Sequence, residues 1–196
     1  MTDNNNISRK DFFKSTVGYF LDSYKEITSA AHPQKPPLKT GLFRPPGALT
    51  EEEFLKKCTR CDKCIRACEK GAITRFERPG SVSHGTPTLI FRKTACILCD
   101  TFPCASSCDP KALIKPDSKA LVRIGYAVIF PNHCLAWQGG VCVKCHEVCP
   151  FPNTAITLDE KNRPIISRSD CVGCGLCLHY CPSPRTGVII LKNPDV

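Results

Sequence analysis

Hydrophobic and polar positions follow a helical period in only one part of the chain. Phe13, Val17, Phe20, Tyr24 and Ile27 recur at steps of four and three, one face of a helix, with Ser8 and Asp11 as a capping pair. The pattern predicts an amphipathic helix within residues 1–27, docked either on its own body, on a partner or on a membrane surface. Residues 28–49 break the period. Prolines at 33, 36, 37, 45 and 46 predict an extended linker or clasp there. Thr50 with Glu53 opens a short helix, Glu51–Lys57. Brief β-like segments are then predicted after each cysteine-rich stretch, at Ala72–Phe76, Ala112–Lys115, Ala155–Leu158 and Gly187–Leu191. Others precede the later stretches, at Thr88–Arg92, Leu121–Phe130 and Ile165–Arg168. A unit of strand, cysteine loop, short helix and strand is therefore repeated, with no clear strand leading into the first copy.

Composition changes the picture of what fills the core. Of 196 residues, 16 are cysteine and 17 proline, while aromatics make up 8% with a single Trp. Such a chain has little material for a large apolar core and reads as loops organised around something inorganic. The uncharged run Ile124–Val143 contains Pro131, Asn132, His133 and Gln138, so it reads as a strand entering a ligand loop rather than a membrane span.

The cysteines form four sets of four: Cys58, Cys61, Cys64, Cys68; Cys96, Cys99, Cys104, Cys108; Cys134, Cys142, Cys145, Cys149; and Cys171, Cys174, Cys177, Cys181. Sets one and four have the spacing C-x2-C-x2-C-x3-C, set two C-x2-C-x4-C-x3-C, and set three C-x7-C-x2-C-x3-C. This is the bacterial iron–sulfur run, in which three close thiolates hold one cubane and the fourth reaches another. Two residues between ligands let a loop wrap one face of the cube with its N–H groups toward the sulfides. Gly173 and Gly175 supply the conformational freedom for that wrap in set four, and Pro150 and Pro182 end it in sets three and four. Disulfides are disfavoured, because four cysteines within eleven residues would be strained as mutual bridges. Structural zinc favours two separated pairs, not a repeated quartet. Sets two and three, with variant spacings, are where a missing cluster or a [3Fe–4S] form would occur.

The net charge of +9 invites a nucleic-acid reading, but the excess is spread along the chain. Sixteen thiolates and four [4Fe–4S] cores of charge 2+ bring the holoprotein to about +1, so the cations mostly balance the metal sites. No nucleic-acid partner is expected. No nucleophile–base set or phosphate loop appears, so no catalytic residue is assigned. His84, His133, His146 and His179 lack the spacing of a second metal site.

Ala155–Arg168 reads as a tight hairpin around Glu160–Asn162, which pairs set three with set four and, by analogy, set one with set two. In this arrangement Cys108 completes the set-one cluster and Cys68 the set-two cluster, while Cys181 completes set three and Cys149 set four. A nested arrangement, one with four and two with three, stays open. The expected fold class is α+β: tandem bacterial-type 2[4Fe–4S] ferredoxin folds, residues 50–118 and 119–196, behind the N-terminal helix.

The text between the cysteines narrows the resemblance. Arg44-Pro-Pro-Gly-Ala-Leu, Phe54 through Cys68, Gly85-Thr-Pro, Cys96 through Leu113, and Cys134-Leu-Ala through Pro150 together resemble the ferredoxin-type MauM/NapG family, with features of its NapF-like cytoplasmic relatives. The resemblance implies an electron carrier with four [4Fe–4S] clusters, passing single electrons between a donor, of which a quinol-linked protein is one option, and a reductase or dehydrogenase. A maturation factor for a partner iron–sulfur or molybdenum enzyme is the alternative. Two departures matter. Lys10 stands where a twin-arginine export signal has its second arginine, and Lys14, Asp22, Lys25 and Glu26 interrupt what should be an apolar region. A cytoplasmic protein is therefore expected, at most peripherally attached to the membrane, with a periplasmic site the alternative if that start still functions. Glu69 and Asp109 replace proline after the fourth cysteines of sets one and two, which leads to an expectation that the first-half clusters are harder to reduce.

Overall fold

The computed structural model describes residues 41–193; the predicted helix 1–27 and the proline-rich stretch up to residue 40 lie outside the described residues. Helix α1, Glu51–Lys57, begins after Thr50, whose hydroxyl donates to Glu53 at 3.0 Å, and buries Phe54. It leads into a loop, the short helix α2, Lys63–Arg66, and strand β1, Ile73–Arg75. Strand β2, Pro87–Leu89, returns antiparallel, with Thr74 opposite Thr88. After α3, Pro103–Ser106, and a 3-10 turn, Lys119–Leu121, comes β3, Gly125–Ile129. The second half then repeats the plan with α4, Lys144–Glu147, the antiparallel β4 and β5, Ile156–Leu158 and Pro164–Ile166, α5, Leu176–His179, and β6, Val188–Lys192.

Each half is closed by a long-range antiparallel pairing of its two ends. In the second half β3 pairs with β6, Ala127 opposite Ile190, and burial along β6 alternates between Val188 and Ile190 on one side and half-exposed residues on the other. In the first half the counterpart shrinks to one bridge, Ala48 with Leu113, held by Leu49 N–H to Ala112 C=O and Ile114 N–H to Gly47 C=O. Pro45 and Pro46 on one side and Pro116 on the other have no N–H to continue the ladder. This is why the segment read as a strand at Ala112–Lys115 is only a bridge wide. The reading of Leu121–Phe130 as strand is likewise shortened at its start by the 3-10 turn.

Residues 41–49 are part of the folded body rather than a linker. The Arg44 side chain is 3% exposed. It donates to Thr86 Oγ1 at 2.8 Å and to Pro87 C=O at 2.7 Å, and its Nε donates to Glu51 at 2.9 Å. It also lies 4.5 Å above the Phe54 ring. One core cluster then runs through both halves, from Phe54, Ile73 and Leu113 through Phe91 and Val122 to Val172 and Ile190. The molecule is thus α+β, with small strands and short helices around loops. Among the described residues no helix is long and apolar enough to cross a membrane.

Candidate metal centres

Each cysteine loop is shaped by residues with positive φ between its ligands. In set four these are Gly173 and Gly175. A side chain at Gly173 would meet the main chain of Gly125 at 2.4 Å, so the loop is pressed against β3 where only glycine fits. Sets one and two reach the same geometry without glycine, through Arg60 and Asp62 in one and Leu98 and Phe102 in the other. These four were not singled out in the sequence, because only Asp among them is a usual left-handed residue.

The loops bring the sixteen cysteines together as four groups, each lining its own apolar cavity. The first site is lined by Cys58, Cys61, Cys64 and Cys108, beside Phe54 and Leu113. At the second stand Cys96, Cys99, Cys104 and Cys68, with Ile73 and Phe102. Cys134, Cys142, Cys145 and Cys181 surround the third with Leu135 and Pro164, and Cys171, Cys174, Cys177 and Cys149 the fourth with Ile156 and Ile190. Three thiols of every site come from one loop, and the fourth crosses from the loop paired with it in the same half. The crossing follows from the short helices: α2 packs on α3 and α4 on α5, so the cysteine about one turn after the one carried on each helix faces the neighbouring cavity. A wider groove of about 320 Å³, lined by Arg44, Glu51, Lys115, Leu121 and Lys192 among others, contains no cysteine.

Hydrogen bonds point at the sulfurs. Leu113 N–H donates to Cys108 Sγ at 3.4 Å and Ala127 N–H to Cys171 Sγ at 3.3 Å. The N–H two residues on favours the thiolate of Cys61, Cys96, Cys149 and Cys174. Burial nonetheless pushes the Cys64, Cys96 and Cys145 thiols up to about 11 and Cys104 and Cys174 to about 12, with neighbouring cysteines adding to the rise. Cys177 is raised further by the same causes. A thiolate at these raised positions is therefore favoured by a cationic group in the cavity. Among the described residues no three Cys, His, Asp or Glu side chains converge closely enough to hold a single ion. Four thiols on one apolar cavity are a donor set whose chemistry fits an iron–sulfur group. Cys61 is exposed, while Cys64, Cys104, Cys174 and Cys177 are buried.

Several other sequence candidates find their places here. Trp137 lines none of the four cysteine cavities; its Nε1–H donates to Pro164 C=O at 3.2 Å under the Arg163 guanidinium, bracing the β4–β5 hairpin that walls the third site. His146 bonds to Asn153, and His179 to the Phe91 carbonyl. Asp109 is paired with Lys63, which holds its carboxyl below the ordinary range, while Glu69 is exposed.

No family model matches the chain. Among curated proteins, it is 34% identical over 187 residues to the methylamine utilization ferredoxin-type protein MauM of Methylorubrum extorquens, covering 90% of this chain and 81% of that protein. It is 33% identical over 161 residues to the ferredoxin-type protein NapG of Escherichia coli, covering 76% and 70%. Against the ferredoxin-type protein NapF of Escherichia coli it is 33% identical over 143 residues, covering 71% and 80%.

Proposed function

The chain belongs to the family of the ferredoxin-type proteins MauM, NapG and NapF, an iron–sulfur electron-transfer family, and from that premise we propose that it carries four [4Fe–4S] clusters, one in each cysteine cavity. The observation that carries this reading is the grouping of all sixteen cysteines into four apolar cavities of four. When bound, such clusters exchange one electron each without bond rearrangement. The chain's own residues do the rest. The loops of positive-φ residues hold three thiols on one face, and the crossing cysteines Cys68, Cys108, Cys149 and Cys181 close the other face. Leu113, Ala127 and the main chain after the ligands aim N–H groups at sulfur, which favours the reduced, more negative state. Phe54, Ile73, Leu135 and Ile190 exclude water from the walls.

In this reading the protein is an electron carrier or a wire subunit between two redox proteins, its donor quinol-linked and its acceptor a reductase or dehydrogenase. Two tandem 2[4Fe–4S] ferredoxin folds form its body, the first from residue 50 to 118 with residues 41–49 packed onto it, the second from 119 onward. The reading is tested by a redox titration of the anaerobically reconstituted chain followed by EPR. Reversible one-electron reduction of four centres is expected. Centres that cannot be reduced and reoxidised without losing iron would overturn it.

A further inference from the structure

The halves meet at two ligand loops. Cys96 N–H donates to the Cys174 carbonyl at 3.1 Å, and among the described residues this is the one main-chain hydrogen bond between cysteines of different halves. The contact is tight. A side chain at Gly175 would lie 2.2 Å from the Phe91 ring, and Phe91 C=O bonds to His179 Nδ1 at 3.3 Å, on the helix that carries Cys177. Phe91 packs in turn on Phe43 in a tilted arrangement, 4.8 Å between centroids. Cys96 lines the second site and Cys174 the fourth. Within each half, the packed helices α2 with α3 and α4 with α5 set the first site against the second and the third against the fourth.

We propose that electrons cross between the halves from the second site to the fourth, through the Cys96–Cys174 junction. The order along the wire is then first, second, fourth, third, which is not the order of the cysteine sets in the sequence. The first site, with its exposed Cys61, and the third, with the partly exposed Leu135 in its wall, become the two terminals. A one-electron donor protein reduces one terminal and a one-electron acceptor protein oxidises the other. Each transfer between neighbours oxidises one centre by one electron and reduces the next by one, with no bond made and no proton moved. Phe91 acts as a positioning residue, holding the two loops in register through Gly175. The inference rests on the four-cluster reading above.

The test is EPR of the fully reduced full-length holoprotein, with iron and sulfide counted for each sample. Cys99→Ser leaves an oxygen ligand at the second site and moves that centre's signal; Cys142→Ser does the same at the third. The expected result is that Cys99→Ser changes the spin-coupling broadening of the fourth-site signal and leaves the third-site signal as it was, while Cys142→Ser changes the fourth and not the second. Phe91→Ala should weaken the coupling between halves and leave the couplings within each half intact. Full iron and sulfide with second-site changes reaching the third-site signal, or with no coupling between second and fourth, would overturn the order alone. Unsubstituted protein with little iron and sulfide would overturn the four-cluster reading and this order with it.

Discussion

At the residue scale, Arg44 shows how a chain with few aromatics fixes its edges. Its guanidinium satisfies Thr86, the Pro87 carbonyl and both Glu51 carboxylate oxygens, and covers the Phe54 ring, from a position almost closed to water. Arg44→Met keeps the stem but strands those acceptors, and should destabilise the fold by roughly 2–4 kcal/mol. The measurement is the denaturant midpoint for loss of cluster absorbance, which should fall. Glu51 gives the pair a pH dependence. Burial opposes its ionisation, yet the Arg44 hydrogen bonds and charge, with Lys192 and Ser83, hold the carboxyl below its ordinary value of 4.5. A group lowered on folding stabilises the fold above its unfolded pKa, and that stability is lost as pH falls through the folded value. The loss is expected below about pH 4.5, and Glu51→Gln should be less stable at neutral pH and flatter on the acid side.

At the scale of elements, the short helices decide which thiol serves which cavity. Cys68 lines the second site and Cys108 the first. Cys68→Ala should therefore damage the centre held by Cys96, Cys99 and Cys104, and Cys108→Ala the one held by Cys58, Cys61 and Cys64, as read by EPR of each variant. Damage in the third or fourth site would point to the nested pairing instead. The Lys63–Asp109 pair links α2 to the loop after Cys108, so the carboxylate next to the first site already has a counter-charge. A bare Asp109 as the reason for a low potential is thus incomplete. Lys63→Gln should lower the first-site potential, because reduction adds negative charge beside an uncovered carboxylate, and Asp109→Asn added to it should restore the value. A redox titration that shows no shift in either would mean that the pair does not tune the centre.

Much of this level was legible in the chain itself. The β4–β5 hairpin follows from the apolar segments on either side of Glu160–Asn162, and helix α1 from Thr50 and Glu53 ahead of Phe54. What was hidden are features set by tertiary contact. Arg60, Asp62, Leu98 and Phe102 take positive φ because the ligand loops demand it, although three of the four residue types carry no such signal. Ala48 reaches Leu113 across 65 positions, a pairing that no local pattern announces. The body's inclusion of residues 41–49 was hidden in the same way, since prolines read locally as a linker and only Arg44's distant partners reveal otherwise.

At the scale of the whole molecule, the two halves share one core but keep separate strand pairings, and ligand loops of the two touch at Cys96 and Cys174. Buried thiols are part of that core, and burial that raises Cys104 and Cys174 favours a cationic partner for their thiolates. The central claim, that the cysteine quartets are cluster sites, is tested most directly by iron and acid-labile sulfide per chain after anaerobic purification. Four [4Fe–4S] clusters predict about sixteen of each. Stoichiometric zinc with negligible sulfide would contradict the account.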